Sequence, residues 1–175
     1  ADLANLCEFE RHELLSMLQR IEHRYDVVVL DCGAGISRNV VGFGSAADTV
    51  LVLATPEPTA VTDAYAMIKV YAGDRAASIG VVVNMAESRR EGRETFDRLA
   101  GVAARFLHLP VTDYGYILRD EHVPAAVRQR CPILLRYPRC SASACLMGTA
   151  ARLSRDMGRP QGDSGLFYRV MSMFR

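Results

Sequence analysis

The sequence predicts an α/β protein in which a mostly parallel sheet carries helices on both faces. Short runs of β-branched and aliphatic residues alternate with longer stretches of helical periodicity along the chain. The strand-like runs are apolar at nearly every position, which is typical of parallel strands buried on both faces. With 175 residues, 50% of them hydrophobic and 23% charged, the chain has the size and composition of one compact domain.

The elements are predicted in chain order from these two periodicities. Leu14, Leu18 and Ile21 lie on one face of a helix over residues 7–24. Strands are predicted over 27–30, 49–53 and 79–83, with a shorter apolar run at 116–118. Helices are predicted near 36–46, 57–72, 90–107, 122–130 and 141–156, and Thr59 is the expected cap of the second of these. Residues 158–165 form a turn-rich linker that separates a body of residues 1–157 from the last ten residues.

Composition excludes several classes of protein. No apolar run approaches the roughly 18 residues that cross a bilayer, and no signal peptide opens the chain. The cysteines are odd in number and contain no CxxC pair, so we expect a reduced cytosol rather than a disulfide framework or a zinc site. These cysteines are Cys7, Cys32, Cys131, Cys140 and Cys145.

Charge is distributed unevenly along the chain. Residues 119–175 hold ten arginines and four acidic residues, a net charge of +6, so the first 118 residues carry −5 of the total of +1. This basic third indicates either an anionic partner, phospholipid or nucleic acid, or a solvated face. Lys69 is the single lysine of the chain.

Ligands of parallel sheets bind at the carboxyl ends of the strands, so the loop Asp31-Cys32-Gly33-Ala34-Gly35 is the first candidate site. A phosphate-binding protein uses such an aspartate to hold Mg²⁺ and such glycines to approach a phosphate. A dinucleotide site is disfavoured because Arg38 stands at the third glycine position. The loop also has features of a methyltransferase loop or of a plain tight turn.

The following loops distinguish between these alternatives. The run 25–69 begins with Tyr-Asp at 25–26 and Asp-Cys-Gly-Ala-Gly-Ile-Ser at 31–37. A predicted strand follows. After it come Pro-Glu-Pro-Thr at 56–59, Thr-Asp-Ala-Tyr-Ala at 62–66, and Ile68 with Lys69. In order and spacing this run resembles the MinD/ParA family of deviant P-loop ATPases, and within it the flagellar-number regulators called FlhG or FleN. The loop at 82–86 and the segments at 115–120 and 126–132 are similar to the family as well. The resemblance covers about residues 1–156.

The resemblance implies a SIMIBI-class P-loop NTPase-like fold and a site for ATP with Mg²⁺. Asp31 then holds Mg²⁺ through water as the catalytic and metal-binding residue. Asn84 reads adenine through its amide, which offers a donor and an acceptor side by side. The remaining residues that the resemblance assigns to nucleotide binding are Gly33, Ala34, Gly35, Pro56, Leu118 and Asp120. Leu118 departs from the family, which has a proline there.

A second departure from the family is the P-loop. Members carry a lysine-bearing glycine loop on their first strand, whereas this sequence has none, and Lys69 lies inside a predicted helix. We therefore expect a fold that lacks the first strand and the P-loop, and no ATP hydrolysis by this chain alone. A piece of a longer protein is favoured over a degenerate family member.

The last ten residues show a wide apolar face if they are helical. Such a short segment, apolar on one side and basic on the other, suits an interfacial membrane helix, and the alternative is a terminal helix packed on its own core. MinD-like proteins also carry membrane-targeting helices at this end. The predicted membrane residues are Leu166, Phe167, Val170, Met171 and Phe174.

Taken with the resemblance, these features predict part of a MinD-like ATP-dependent switch that regulates flagellar number or placement. The implied partners are a second copy in a homodimer, an anionic membrane surface, an SRP-type GTPase, flagellar basal-body components and a transcriptional activator. The implied location is the cytoplasm, peripheral on the inner face of the cell membrane, and nucleic acid is not the expected partner. Alternatives are a ParA-like partitioning ATPase that binds DNA, a non-enzymatic adaptor and, last, a methyltransferase.

Overall fold

A computed structural model describes residues 24–33, 35, 38–73 and 78–156, together with five helical positions nearer the start of the chain. A three-stranded sheet lies at its centre in the order β1-β2-β3, and both strand pairs are parallel. The strands are β1 (Thr49–Ala54), β2 (Ser78–Ala86) and β3 (Thr112–Leu118). The helices are α1 (Arg38–Ala46), α2 (Pro58–Tyr71), α3 (Arg89–Leu107), α4 (His122–Arg128), α5 (Ile133–Arg136) and α6 (Ser141–Asp156).

β2 is the central strand because both of its edges are paired. It is buried at five consecutive positions, 79–83, as expected of a strand covered on both faces. Val83 lies opposite Ala54 of β1 and Tyr116 of β3 in the register, so the three strands end close together.

Helices pack on both faces of the sheet, which confirms the predicted fold class. α2 and α3 contact each other and cover one face, where they enclose the larger core cluster. α6 covers the opposite face over β3. Its core cluster consists of Val82, Tyr114, Ile117 and Ala142.

Gly80 allows β3 to pack closely against β2. A Cβ atom on Gly80 would lie 2.1 Å from the Tyr114 ring, so the ring occupies the space that any other side chain would need. Gly80 therefore leaves room for the Tyr114 ring on the face of the sheet that α6 covers.

The helix boundaries follow from their capping residues. The Ser88 side chain accepts a hydrogen bond from the Glu91 N–H, which satisfies one free donor in the first turn of α3, and the Glu91 carboxylate accepts one from the N–H of Glu87, just before the cap. α2 begins instead with Pro58 directly after Glu57, and Thr59 is not its cap. The expectation for Thr59 was wrong because a proline at the first helical position already starts the helix there.

The strand predicted over 27–30 is wrong. These residues are irregular, and the Val29 side chain is 81% exposed. A strand requires a neighbouring strand to pair its backbone groups. In the described part of the chain, no strand pairs with residues 27–30, so this apolar run has no ladder of hydrogen bonds to join.

Burial on both faces is also wrong for β1. Val52 and Ala54 are buried beneath α2, whereas Leu53 is 68% exposed and Leu51 is also exposed on the other face. The reason is the position of α6, which packs on β3 and leaves this face of β1 open.

The predicted helices from residue 36 onward and the strands at 49–53 and 79–83 are confirmed with small shifts at their ends, whereas β3 begins at Thr112, four residues before the predicted run at 116–118. α5 was missed, because four residues are too few to show a helical period. The five described positions within 7–24, namely Phe9, Glu13, Ser16, Met17 and Arg20, are helical. The linker at 158–165 and the segment 166–175 lie outside the described residues, as does the rest of 7–23. Among the described helices, none combines the length and the hydropathy that crossing a membrane requires.

Candidate functional site

The carboxyl ends of the three strands meet at one edge of the sheet. Because the strands are parallel, Pro56 after β1 lies at the same edge of the sheet as Asn84 near the end of β2, and Leu118 at the end of β3 pairs with Ala86 after two shifts in the register. The structure therefore brings together four of the residues that were assigned to nucleotide binding, Pro56, Asn84, Leu118 and Asp120, on three adjacent strand tips. This edge is where open parallel sheets bind ligands.

The tip of β2 holds the amide of Asn84 in one orientation. Its Oδ1 atom accepts a hydrogen bond from the Met85 N–H at 2.9 Å, and the side chain is half-buried. Met85 itself adopts a left-handed backbone conformation with φ of 58°. A non-glycine residue in that region is uncommon and is found at functional sites more often than elsewhere.

The tip of β1 carries a polar atom without a protein partner. The hydroxyl oxygen of Thr55 is buried and has no hydrogen bond from the described residues. Buried hydroxyl groups nearly always have a partner. A ligand at this edge of the sheet would supply one.

The tips of β2 and β3 are joined by two contacts of Arg119. Its backbone N–H donates to the Ala86 carbonyl at 2.8 Å, and its guanidinium Nε lies 2.8 Å from a Glu87 carboxylate oxygen. The ion pair is exposed and contributes at most about 1 kcal/mol. Its effect is to hold the two loops beside each other.

Asp120 connects the tip of β3 to the start of α6. The Ala142 N–H and the His122 N–H donate to its carboxylate at 3.0 and 2.9 Å, and the His122 ring nitrogen Nδ1 lies 2.7 Å from it. These hydrogen bonds, led by that of Ala142, hold the pKa of Asp120 well below its usual range, although burial opposes them. Asp120 is therefore a carboxylate whose position is held by hydrogen bonds from the protein itself.

The residues assigned to magnesium and the γ-phosphate lie on the irregular segment before α1. Asp31 and Gly33 are exposed, Gly35 has a φ of 103°, and Ala34 lies outside the described residues. Burial and the neighbouring Asp31 charge raise the pKa of the Cys32 thiol. The roles of Asp31, Gly33, Ala34 and Gly35 stay predictions.

The described residues fit the nucleoside end of a nucleotide better than its phosphate end. An amide, an unpaired hydroxyl and the apolar Leu118 meet at the strand tips. Lys69, in contrast, lies in the last turn of α2. Since α2 leads from the tip of β1 back toward the start of β2, that turn lies at the opposite edge of the sheet from the tips.

Comparisons with known proteins agree with the sequence motifs. The chain is 36% identical to the antiactivator FleN of Pseudomonas aeruginosa over 152 residues, which is 86% of this chain and 54% of FleN. It is 41% identical to the flagellum site-determining protein YlxH of Helicobacter pylori over 78 residues, 45% of this chain and 26% of YlxH. The structure of the cell division protein MinD of Aquifex aeolicus superposes with a TM-score of 0.65 at 21% identity, covering 89% of this chain and 64% of MinD.

Fold and matches together define a MinD/ParA-type protein, which confirms the resemblance predicted from the loops. Within that family the chain is FlhG/FleN-like. It spans about half the length, or less, of the curated relatives it matches. No protein-family profile matches the chain.

Sequence reasoning assigned no role to several residues of this edge. The Thr55 hydroxyl, the Glu87–Arg119 pair and the groups around Asp120 depend on contacts between separate strands and helices. Their spacing in the sequence matches no short motif. The one available signal was their position, since each follows directly on a predicted strand or opens a helix.

Proposed function

We propose that this chain is the nucleoside-facing portion of a MinD-type ATP-dependent switch that regulates the number or placement of flagella. The observation that carries the proposal is the convergence of three strand tips that present an oriented amide and an unpaired buried hydroxyl. Relatives described as an antiactivator and as a flagellum site-determining protein support the flagellar role.

Adenine recognition by Asn84 is the part of the proposal that this chain can test directly. The Asn84 side chain offers a donor and an acceptor that pair with the N6/N1 edge of adenine, whereas guanine presents the reverse pattern there. Ligand-observed NMR of the 175-residue chain with ATP and with GTP is expected to show saturable contact with ATP and weaker contact with GTP.

Matched variants separate the site from general surface effects. Asn84→Asp replaces the amide NH₂ by a second oxygen and is expected to abolish the preference for ATP. Gln129→Glu makes the same chemical change on an exposed residue beyond α4 and is expected to leave the preference intact. Equal contact with ATP and GTP, or a preference that survives Asn84→Asp, would contradict adenine reading by Asn84 and favour the adaptor alternative.

In the intact protein, bound Mg·ATP would supply the γ-phosphate whose contacts distinguish two conformations of the switch. Asp31 would hold the magnesium through water, and Gly33, Ala34 and Gly35 would lie along the γ-phosphate. The ATP-bound form would be a homodimer. Replacement of Asp31 by Ala in the intact protein is expected to abolish magnesium-dependent hydrolysis, and hydrolysis at the original rate would refute the assignment.

Attachment to the inner face of the cell membrane is proposed for residues 166–175. Deletion of these residues is expected to abolish sedimentation of the chain with anionic liposomes. The control replaces Arg169 and Arg175 by Gln, which keeps the apolar face and is expected to weaken sedimentation and to make it insensitive to salt. Sedimentation that is unchanged by the deletion would show that another surface binds the membrane.

Regulated partners follow from the relatives by analogy. Because FleN is described as an antiactivator, a transcriptional activator is the first partner to test, ahead of an SRP-type GTPase and flagellar basal-body components. Deletion of the gene in the source organism is expected to change the number of flagella per cell, counted by electron microscopy. An unchanged count and position of flagella would contradict the flagellar role.

A further inference from the structure

Three potential metal ligands from separate parts of the chain meet at the start of α6. One carboxylate oxygen of Asp120, a ring nitrogen of His122 and the sulfur of Cys140 all lie within 4.8 Å of one another. Cys140 is 20 residues from Asp120 in the sequence, and the fold brings it there by placing the start of α6 against the tip of β3.

The carboxylate of Asp120 is oriented by the backbone. The Ala142 N–H holds the Oδ2 atom at 3.0 Å, which directs the Oδ1 atom toward His122. The side chain is only 8% exposed, so this orientation is enforced by packing as well. Carboxylates held by an outer hydrogen bond in this way are typical of metal ligands in proteins.

The imidazole of His122 is held by its neighbours and remains reachable from solvent. Its ring packs at 4.7 Å, centroid to centroid, against the ring of Tyr137. Its Nδ1 atom faces Asp120 at 2.7 Å, and 43% of the side chain is exposed. The ring therefore lies at the surface of the protein, with its Nδ1 atom turned toward Asp120.

The sulfur of Cys140 is positioned by the first turn of α6. Its Sγ atom lies 3.3 Å from the Ser143 hydroxyl, and the Ser143 N–H donates to it at 3.4 Å. The Ser143 hydroxyl in turn donates to the Tyr137 carbonyl at 2.7 Å. Tyr137 therefore packs against His122 through its ring and holds Ser143 beside the sulfur through its carbonyl.

A cleft of about 380 Å³ opens over the three groups. Arg119, Glu121, Arg139 and Ser141 line the rest of it. This volume leaves room for a water molecule beside an ion that the three side chains bind. Such an arrangement, three protein ligands and one open position, is common for zinc.

We propose that Asp120, His122 and Cys140 form a zinc-binding site with its fourth position open to this cleft. The mixed sulfur, nitrogen and oxygen donors suit Zn²⁺, which is borderline soft, better than Mg²⁺ or Ca²⁺, which prefer oxygen ligands. The site shares Asp120 with the residues assigned to the nucleotide, whereas His122 and Cys140 have no part in that assignment, and no zinc motif of the sequence indicates the site.

Binding requires small side-chain movements and the release of a proton. Bond lengths of 2.0–2.3 Å place tetrahedral zinc ligands about 3.3–3.8 Å apart, so the His122 and Asp120 atoms must separate slightly while Cys140 approaches. The Cys140 thiol loses its proton to solvent as its sulfur binds the ion. The Nδ1 atom of His122 carries the proton that it now shares with the Asp120 carboxylate. To bind the ion, the ring releases this proton to solvent or moves its proton to Nε2, so that the Nδ1 lone pair becomes free.

Cobalt(II) titration of the 175-residue chain tests the site. We expect saturation at one ion per chain, with the near-ultraviolet charge-transfer band of a cobalt–thiolate bond and visible bands typical of tetrahedral geometry. Added zinc is expected to abolish these bands by displacing cobalt.

Ligand variants decide which residues bind the ion. Since the loss of an outer-shell partner lowers metal affinity by about 10- to 100-fold, loss of a ligand in Cys140→Ser or His122→Gln is expected to lower it by at least about 100-fold. Cys131→Ser is the matched control, because Cys131 interacts with the Pro132 carbonyl and lies outside the cluster. Zinc is expected to raise the unfolding midpoint of the unaltered chain and of Cys131→Ser, but not of His122→Gln.

The proposal is overturned if cobalt gives no saturable thiolate band with the unaltered chain. It is equally overturned if Cys140→Ser keeps the band at full intensity, since another cysteine would then hold the ion, or if His122→Gln binds cobalt with unchanged affinity. Because His122 is the more exposed side chain, His122→Gln decides the matter even if Cys140→Ser does not fold. Loss of the ATP preference in Asn84→Asp has no bearing on this result, so the two proposals fail separately.

Discussion

At the scale of single residues, Asp120 shows how one carboxylate can be assigned two kinds of role. The family resemblance assigns it to the nucleotide, and the structure shows it accepting backbone hydrogen bonds from His122 and Ala142. A charged acceptor with two N–H donors stabilises the loop in which it lies. Its contribution to folding can therefore be measured without any ligand.

We expect Asp120→Asn to lower the free energy of unfolding by about 2 kcal/mol at pH 7, because hydrogen bonds to a charged acceptor are lost. Since folding lowers the pKa of this carboxyl from 3.8, its contribution is present above pH 3.8 and is lost as the pH falls below that value. Urea unfolding between pH 2 and pH 7 measures this. The variant should show a flatter acid profile than the unaltered chain, and Asp97→Asn, on the exposed side of α3, should match the unaltered profile.

Tyr114 is expected to make stability fall at high pH. Burial, with a hydrogen bond to Asp156 and its charge, raises the pKa of the Tyr114 hydroxyl from 10.0 to about 12. The unfolded chain therefore loses this proton first, so the stabilising contribution is complete below pH 10 and is lost as the pH rises toward 12. Unfolding measured from pH 9 to pH 12 should show this slope, and Tyr114→Phe should remove it. If the slope is the same in both proteins, it arises from other tyrosines or from cysteines.

At the scale of elements, α3 contains two glycines, Gly92 and Gly101, that affect its stability in opposite directions. A Cβ atom at Gly92 would lie 2.7 Å from the Tyr116 Cβ atom of β3, whereas at Gly101 it would meet nothing within 4 Å. Gly92 therefore permits close packing of helix on sheet. Gly101 only weakens the helix through its backbone freedom.

The two glycines form a matched pair for mutation. Gly92→Ala is expected to lower the free energy of unfolding by about 1–3 kcal/mol because the helix must move away from the sheet. Gly101→Ala is expected to raise it by about 0.5–1 kcal/mol, the usual gain at an exposed helical position. Chemical denaturation of both variants checks the signs, and equal effects would show that α3 does not pack on β3 at Gly92.

Periodicity predicted the elements correctly where the residues of the element itself decide its structure. The alternation of strand and helix and the approximate extents of β2, α2 and α3 follow from apolar spacing, whereas the starts of α2 at Pro58 and of α3 after Ser88 were not predicted. The strand at 27–30 could not be predicted correctly, because an apolar run forms a strand only beside another strand. α5 was missed for its shortness.

At the scale of the whole molecule, the sheet is covered unevenly. α2 and α3 bury one face across its width, but α6 covers the other face mainly over β3. Leu51 and Leu53 of β1 remain exposed, next to a strand edge that pairs with no other described strand. Exposed apolar groups at a free edge promote association between chains.

We expect the 175-residue chain to self-associate through this surface as its concentration rises. Leu53→Lys, at the position that is 68% exposed, should reduce the association constant at least about tenfold because charge at a free edge opposes pairing. The unfolding midpoint should change little, since the position is mostly in solvent. Sedimentation velocity measures the association, and Val127→Lys on α4, 70% exposed and distant from the edge, is the control. Equal association by the two variants would place the contact elsewhere.

The sequence by itself determined the class of the fold, most of its elements and the family, because local periodicity and loop motifs carry that information. It also indicated Pro56, Asn84, Leu118 and Asp120, since residues that follow parallel strands must share one edge. Only the tertiary structure decided which apolar residues are covered, that the Thr55 hydroxyl has no partner among the described residues, and that Cys140 lies beside His122 and Asp120. The physical reason is that burial and side-chain clustering depend on which distant elements pack together, and no local pattern records that choice.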